Sequence, residues 1–164
     1  MSLIEVLVAL VVMSVGMMGV ASLMLQSLRN GHGALMHTQA VNLVSDMEER
    51  IRANPAAGGA YDCAVYPGGA QQRDCAPAGV APVGGNCSAD ELAEDDLARW
   101  QRSVRLTLPA VSPDSCAANV SYAAAGTPGE AASYRVSVAW QPAGEPAPLV
   151  YESDLVLASP PGAP

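Results

Sequence analysis

The chain has 164 residues and a formal net charge of −8, and it contains neither Lys nor Phe. The charge is uneven: residues 1–54 hold four acids against three Arg, whereas residues 55–164 hold twelve acids against five Arg. No basic stripe is present to neutralise a phosphate backbone, so nucleic acid is excluded as a partner. About 110 residues after Asn54 leave room for one small core and not two.

The first element in the chain is apolar. One carboxylate, Glu5, follows Met1, Ser2, Leu3 and Ile4, and residues 6–25 are then apolar except for Ser14, Gly16, Gly19 and Ser22. At about 1.5 Å per residue such a run crosses a bilayer as a helix, and residues 1–25 are assigned as a transmembrane segment. A carboxylate at the buried end of that helix costs a few kcal/mol or more unless it finds a partner, which makes Glu5 a candidate functional residue. A secretory signal peptide would carry a basic start, a shorter apolar core and a small-residue cleavage site. No Lys or Arg precedes Arg29, and the expectation is a basic leader removed ahead of Met1.

Beyond Leu25 the pattern becomes amphipathic. Ala40, Leu43, Val44, Met47 and Ile51 form one stripe, polar residues fill the other faces, and Pro55 disfavours helix at Asn54. Residues 1–54 therefore read as one N-terminal helix, weakest at Gly31 and Gly33, and roughly 80 Å long if unbroken. Residues 55–164 read as one globular domain.

Its first part, 56–87, is rich in Gly, Ala and Pro and reads as an irregular loop braced by disulfide. Cys63, Cys75, Cys87 and Cys116 lack CxxC spacing, and an even count in an exported domain implies two disulfides in an oxidising compartment. Three connectivities are open; the expectation is Cys63 with Cys75 and Cys87 with Cys116. Ser88-Ala89-Asp90-Glu91 matches a capping box that opens a helix to about residue 108, with Leu97, Trp100, Val104 and Leu108 inward. Strand patterns at 120–124, 134–141 and 149–157 suggest an antiparallel meander packed on the 40–51 stripe, an α+β architecture. The tail 159–164 reads as disordered.

Candidate chemistry is sparse. His32 and His37 fall on different helix faces and are not a metal pair. Asp90, Glu91, Glu94, Asp95 and Asp96 lack calcium-loop spacing and read as a solvated helix N-terminus. Trp100 and Trp140 are assigned to the core. No metal, cofactor or catalytic residue is predicted, and the chain does not read as an enzyme.

Ser2-Leu3-Ile4-Glu5-Val6-Leu7-Val8-Ala9-Leu10 resembles the segment after the prepilin peptidase site (the class III signal) of type IV pilins, with Glu5 at the fifth mature position. Met1 stands where members usually carry Phe. Asp46-Met47-Glu48-Glu49-Arg50-Ile51-Arg52-Ala53-Asn54-Pro55 and Asp96-Leu97-Ala98-Arg99-Trp100 are similar to patterns in PilV-type minor pilins. The resemblance implies a pilin fold and a methylated N-terminal amine at Met1 that meets Glu5 within or between subunits. It further implies a minor subunit of a complex that primes pilus assembly for twitching motility and adhesion. The implied partners are other minor pilins, the major pilin, the prepilin peptidase, the inner-membrane assembly platform and a tip adhesin. Localisation follows: single-pass in the inner membrane of a Gram-negative cell, N-terminus inside and domain in the periplasm, then the pilus. Two alternatives stand beside this, a pseudopilin of a type II secretion system and a single-pass anchored binding domain.

Overall fold

A computed structural model describes residues 2–65, 75, 87–109, 111, 118–126 and 131–157. The expected disordered tail and most of the expected disulfide-braced loop lie outside the described residues. Helix α1 runs Leu3–Ala53 without interruption at Gly31 or Gly33. It is followed by a 3₁₀ segment, Pro55–Tyr61, where sequence patterning suggested irregular loop. Helix α2 covers Ala89–Thr107, and three strands follow: β1 Ala118–Ala123, β2 Ala132–Trp140 and β3 Leu149–Leu157. The chain divides into two compact units, 1–37 and 38–164.

In the second unit, the part of α1 beyond residue 38 buries Ala40, Val44, Met47 and Ile51, while Leu43 is half-buried. Each large apolar side chain taken out of water there contributes about 1.5–3 kcal/mol. Against this stripe stand Leu97, Trp100 and Val104 of α2 and Val120, Tyr134, Val136, Val138 and Trp140 of the sheet, all buried. The fold is α+β: a long N-terminal helix packed on a small antiparallel sheet of order β1-β2-β3.

Register follows the alternation of the strands. Val120 pairs with Val136 and Tyr134 with Leu155, so apolar side chains share the inner face. On the outer face Arg135 pairs with Asp154, at 2.7 and 3.2 Å, and its hydrogen bonds hold the Asp154 carboxyl below the usual range. The edge of β1 is covered by the chain after the 3₁₀ segment. Cys63 N–H donates to Val120 O at 2.8 Å, and Asp62 Oδ2 accepts from Tyr122 N–H at 3.0 Å in place of a backbone carbonyl.

The 3₁₀ segment turns sharply at Gly58, whose φ of 49° and ψ of −124° lie outside what an L side chain adopts comfortably. Its carbonyl accepts from the Tyr134 hydroxyl at 3.0 Å, which fixes the kink over the sheet. Gly58→Ala is expected to lower stability by about 1–3 kcal/mol, a Tm loss of several degrees in thermal circular dichroism. An unchanged Tm would refute the assigned strain.

Candidate functional site

Two features set the functional possibilities, one in each unit. In the first, residues 3–28 expose nearly every large apolar side chain, from Leu3 at 90% to Leu28 at 64%. Backbone groups are satisfied along the helix, and the Ser14 and Ser22 hydroxyls donate to Val11 O and Gly19 O at 2.8 Å. Up to Leu25, only apolar side chains and Glu5 remain to meet the surroundings. The helix is long and apolar enough to cross a membrane. Glu5 sits in its first turn and forms no ion pair among the described residues. Met1, the expected carrier of the partner amine, lies outside the described residues. Gly16 and Gly19 have nothing within 4 Å of an added Cβ. His32 and His37 are exposed, and among the described residues no group of three potential metal ligands occurs.

In the second unit, a polar clamp ties the C-terminal end of α1 to α2. Arg50 bridges Asp46 at 3.0 Å and Asp96 at 2.8 Å. Burial alone would lower the Arg50 pKa, but the hydrogen bonds to Asp46 and Asp96 outweigh it and the guanidinium stays above its usual value. Asn54, buried where the helix ends, donates from Nδ2 to Ala89 O at 2.8 Å. The Tyr61 hydroxyl lies 3.1 Å from Asp96 Oδ2 and 3.3 Å from Arg50 O, two acceptors for one proton. Trp100 closes the clamp by donating Nε1–H to Leu43 O at 2.7 Å. A helix carbonyl paired across helices in this way fixes the rotation of α2 against α1.

Two expectations are corrected here. The acidic cluster on α2 is not wholly solvated: Asp95 is 1% exposed and Asp96 faces Arg50 and Tyr61. Asp95 Oδ2 accepts from Arg99 Nε at 3.0 Å and from Cys75 N–H at 3.3 Å. The i,i+4 spacing of Asp95 and Arg99 was the available signal; nothing nearby in sequence pointed to Cys75 as the third member. The expected cysteine pairing is also wrong. Cys75 joins Cys87, with Cα atoms 6.0 Å apart. Helix α2 gathers the two: Asp95 holds Cys75 against it, and Cys87 immediately precedes the Ser88 cap of that same helix. Cys63 is drawn instead to the β1 edge, its sulfur accepting from Gln101 Nε2 at 3.6 Å. Cys116 lies outside the described residues.

Residues 22–98 match the Tt1218-like family, described as type IV pilin Tt1218. The match spans just under half the chain and takes in the buried 40–51 stripe, the Cys75–Cys87 bridge, the Ser88 capping box and the Asp95–Asp96 pair. It supports the type IV pilin class, a family of structural proteins and not of enzymes. Neither the curated proteins nor the solved structures compared with the chain yield a match. A pilin subunit with a membrane-competent apolar helix agrees with the exposed 3–28 segment.

Two outcomes are expected from the clamp. Asp95→Ala leaves the Cys75 amide and the Arg99 guanidinium without their shared acceptor and should cost about 1–3 kcal/mol. Glu94→Ala, one position earlier, should stay within about 0.5 kcal/mol, and equal effects in urea unfolding would refute the inward role of Asp95. Burial pushes the Tyr134 pKa from 10.0 up to about 12, with the neighbouring Tyr122 adding to the shift; Tyr61 is pushed up chiefly by burial as well. An unfolded chain releases these protons near pH 10 while the folded chain keeps them. Their stabilisation is complete below pH 10 and is lost as pH rises toward 12. Tyrosinate absorbance should therefore rise together with unfolding in that window, and ionisation of all five tyrosines near pH 10 in a folded chain would contradict the burial.

Proposed function

We propose that this chain is a minor pilin of a bacterial type IV pilus, a low-abundance subunit of the complex that primes pilus assembly. The observation that carries the reading is the exposed apolar 3–28 segment with a single carboxylate, Glu5, at its start. The similarity of residues 22–98 to a type IV pilin supports it. In this reading the segment first lies in the inner membrane, with the domain in the periplasm, and later packs among the helices of neighbouring pilins. The prepilin peptidase supplies a charged, methylated amine at Met1, and the inner-membrane platform then moves the subunit into the filament. Other minor pilins and the major pilin are its neighbours, and a tip adhesin is a further partner.

Glu5 serves as a docking key. In a low-dielectric helix bundle a carboxylate is tolerated only beside a cation, here the N-terminal amine of the same or an adjacent subunit. Such a pair selects axial register, because a slip of one helical turn leaves both charges unpartnered.

Deletion of the gene is expected to abolish or sharply reduce surface pili and twitching while leaving type II secretion intact. Complementation with Glu5→Ala should restore membrane insertion of the subunit but not pilus number. Loss of secretion with normal pili would select the pseudopilin alternative, and normal pili in Glu5→Ala cells would remove the docking role.

A further inference from the structure

The Cys75–Cys87 bridge takes two of the four cysteines, and the other two are Cys63 and Cys116. Cys63 is 3% exposed and stands beside the first residues of β1. Its N–H donates to Val120 O, and its sulfur accepts from Gln101 Nε2 at 3.6 Å. The same Gln101 Nε2 donates to Ala118 O at 3.4 Å, so one nitrogen touches both the Cys63 sulfur and the carbonyl of the first residue of β1. Gln101 and Ala118 are themselves buried, which encloses the sulfur on that side.

Cys116 lies outside the described residues, but two peptide units join it to Ala118 and limit the separation of those two Cα atoms to about 7.6 Å. A disulfide needs Cα atoms about 4.4–6.8 Å apart. We propose that Cys63 and Cys116 form a second disulfide, which ties the segment covering the β1 edge to the residues that lead into β1. The bond requires the chain to enter β1 from the side on which Gln101 holds the Cys63 sulfur. No third cysteine competes, since Cys75 is held at Asp95 and bonded to Cys87.

Formation is an exchange reaction. One of the two thiolates attacks a disulfide donor, such as oxidised glutathione or an oxidised protein dithiol, and displaces one donor thiol. The second thiolate then attacks the mixed disulfide and displaces the other. Two cysteine thiols are oxidised, the donor is reduced to two thiols, and the protons pass to the leaving thiolates. The consequence lies at the sheet edge. Among the described residues, the Cys63 N–H and the Asp62 carboxylate are the hydrogen-bonding cover of β1, and a strand edge left open pairs with other chains. A bond from Cys63 to Cys116 closes a loop that contains α2 and keeps that cover in place when the two hydrogen bonds open. Its presence in cells rests on the periplasmic reading above, whereas its connectivity does not.

Trypsin separates the pairings. The chain has no Lys, and its Arg residues place Cys63 on peptide 53–73, Cys75 and Cys87 together on 74–99, and Cys116 on 106–135. The full chain, purified in detergent, is incubated with oxidised glutathione, denatured in the presence of an alkylating reagent and digested without reduction. Peptides 53–73 and 106–135 are expected as one species in the mass spectrum, two hydrogens lighter than their sum, and as two species after reduction. Recovery of the two as separate alkylated or glutathionylated peptides, or either of them joined to 74–99, would overturn the pairing wherever the chain resides in the cell. A second readout distinguishes a bond from a packed thiol. Cys116→Ala is expected to lower the Tm by several degrees in the native background and not at all in Cys63→Ala, because the bond is already gone there. An effect of Cys116→Ala that is the same in both backgrounds would also overturn the proposal.

Discussion

Away from water a backbone amide must be hydrogen-bonded within its own segment, and the exposed apolar stretch of α1 meets that condition as one continuous helix. Helix α1 runs from Leu3 through Gly16 and Gly19 without a break, and the Ser14 and Ser22 hydroxyls turn back onto the carbonyls of Val11 and Gly19. The same helix then continues into a region where a different rule applies. Between Ala40 and Ile51 water is available, so only one stripe is buried and the remaining faces carry Asp46, Glu48, Glu49, Arg50 and Arg52. A single regular element thus carries two side-chain patterns, almost wholly apolar over residues 6–25 and apolar on one stripe between Ala40 and Ile51.

That continuity creates a local problem where the helix stops, because its last carbonyls lose their partners inside a packed domain. The clamp around Arg50, Asn54 and Tyr61 is the answer to it. The Tyr61 hydroxyl lies within reach of the carbonyl of Arg50, Asn54 caps the approach of α2, and the Arg50 guanidinium meets Asp96. Polar groups are buried here in number, but each has a partner, which is the condition under which burial of polar groups is tolerated. The Gly58 kink follows from the same arrangement, since it returns the chain so that Tyr61 points back at the helix end while Tyr134 holds the turn from the sheet.

Period and punctuation were legible in the sequence. The 40–51 stripe, the Ser88 capping box and the inward Leu97, Trp100 and Val104 could be read because each depends on neighbours within one helix. The strands could be read because alternation is equally local, although their ends shifted by a residue or two. What could not be read depends on partners far away in the chain. The cysteine pairing is set by which cysteine Asp95 holds, a contact across 20 residues. Likewise Asp95 and Asp96 looked like two more members of an acidic helix start, since nothing in their immediate surroundings announces Arg50 or Tyr61. The assignment of Glu5 rests on the cost of a charge in an apolar run, a local argument. Its partner is not a local matter, and the described residues contain none.

Helix α2 shows how much a single element can carry once its faces are separated. One side is apolar and completes the core with α1 and the sheet. On another, Asp95 and Asp96 spend their charge internally, on Cys75 and Arg99 and on Arg50 and Tyr61. Because those two carboxylates are committed inward, they no longer neutralise the cations of the next two turns. Arg102 and Arg105 are left facing solvent, with the half-buried Glu94 about two turns before Arg102. The fold thereby commits Glu91 to the helix cap and Asp95 and Asp96 to the clamp, and leaves Arg102 and Arg105 to solvent.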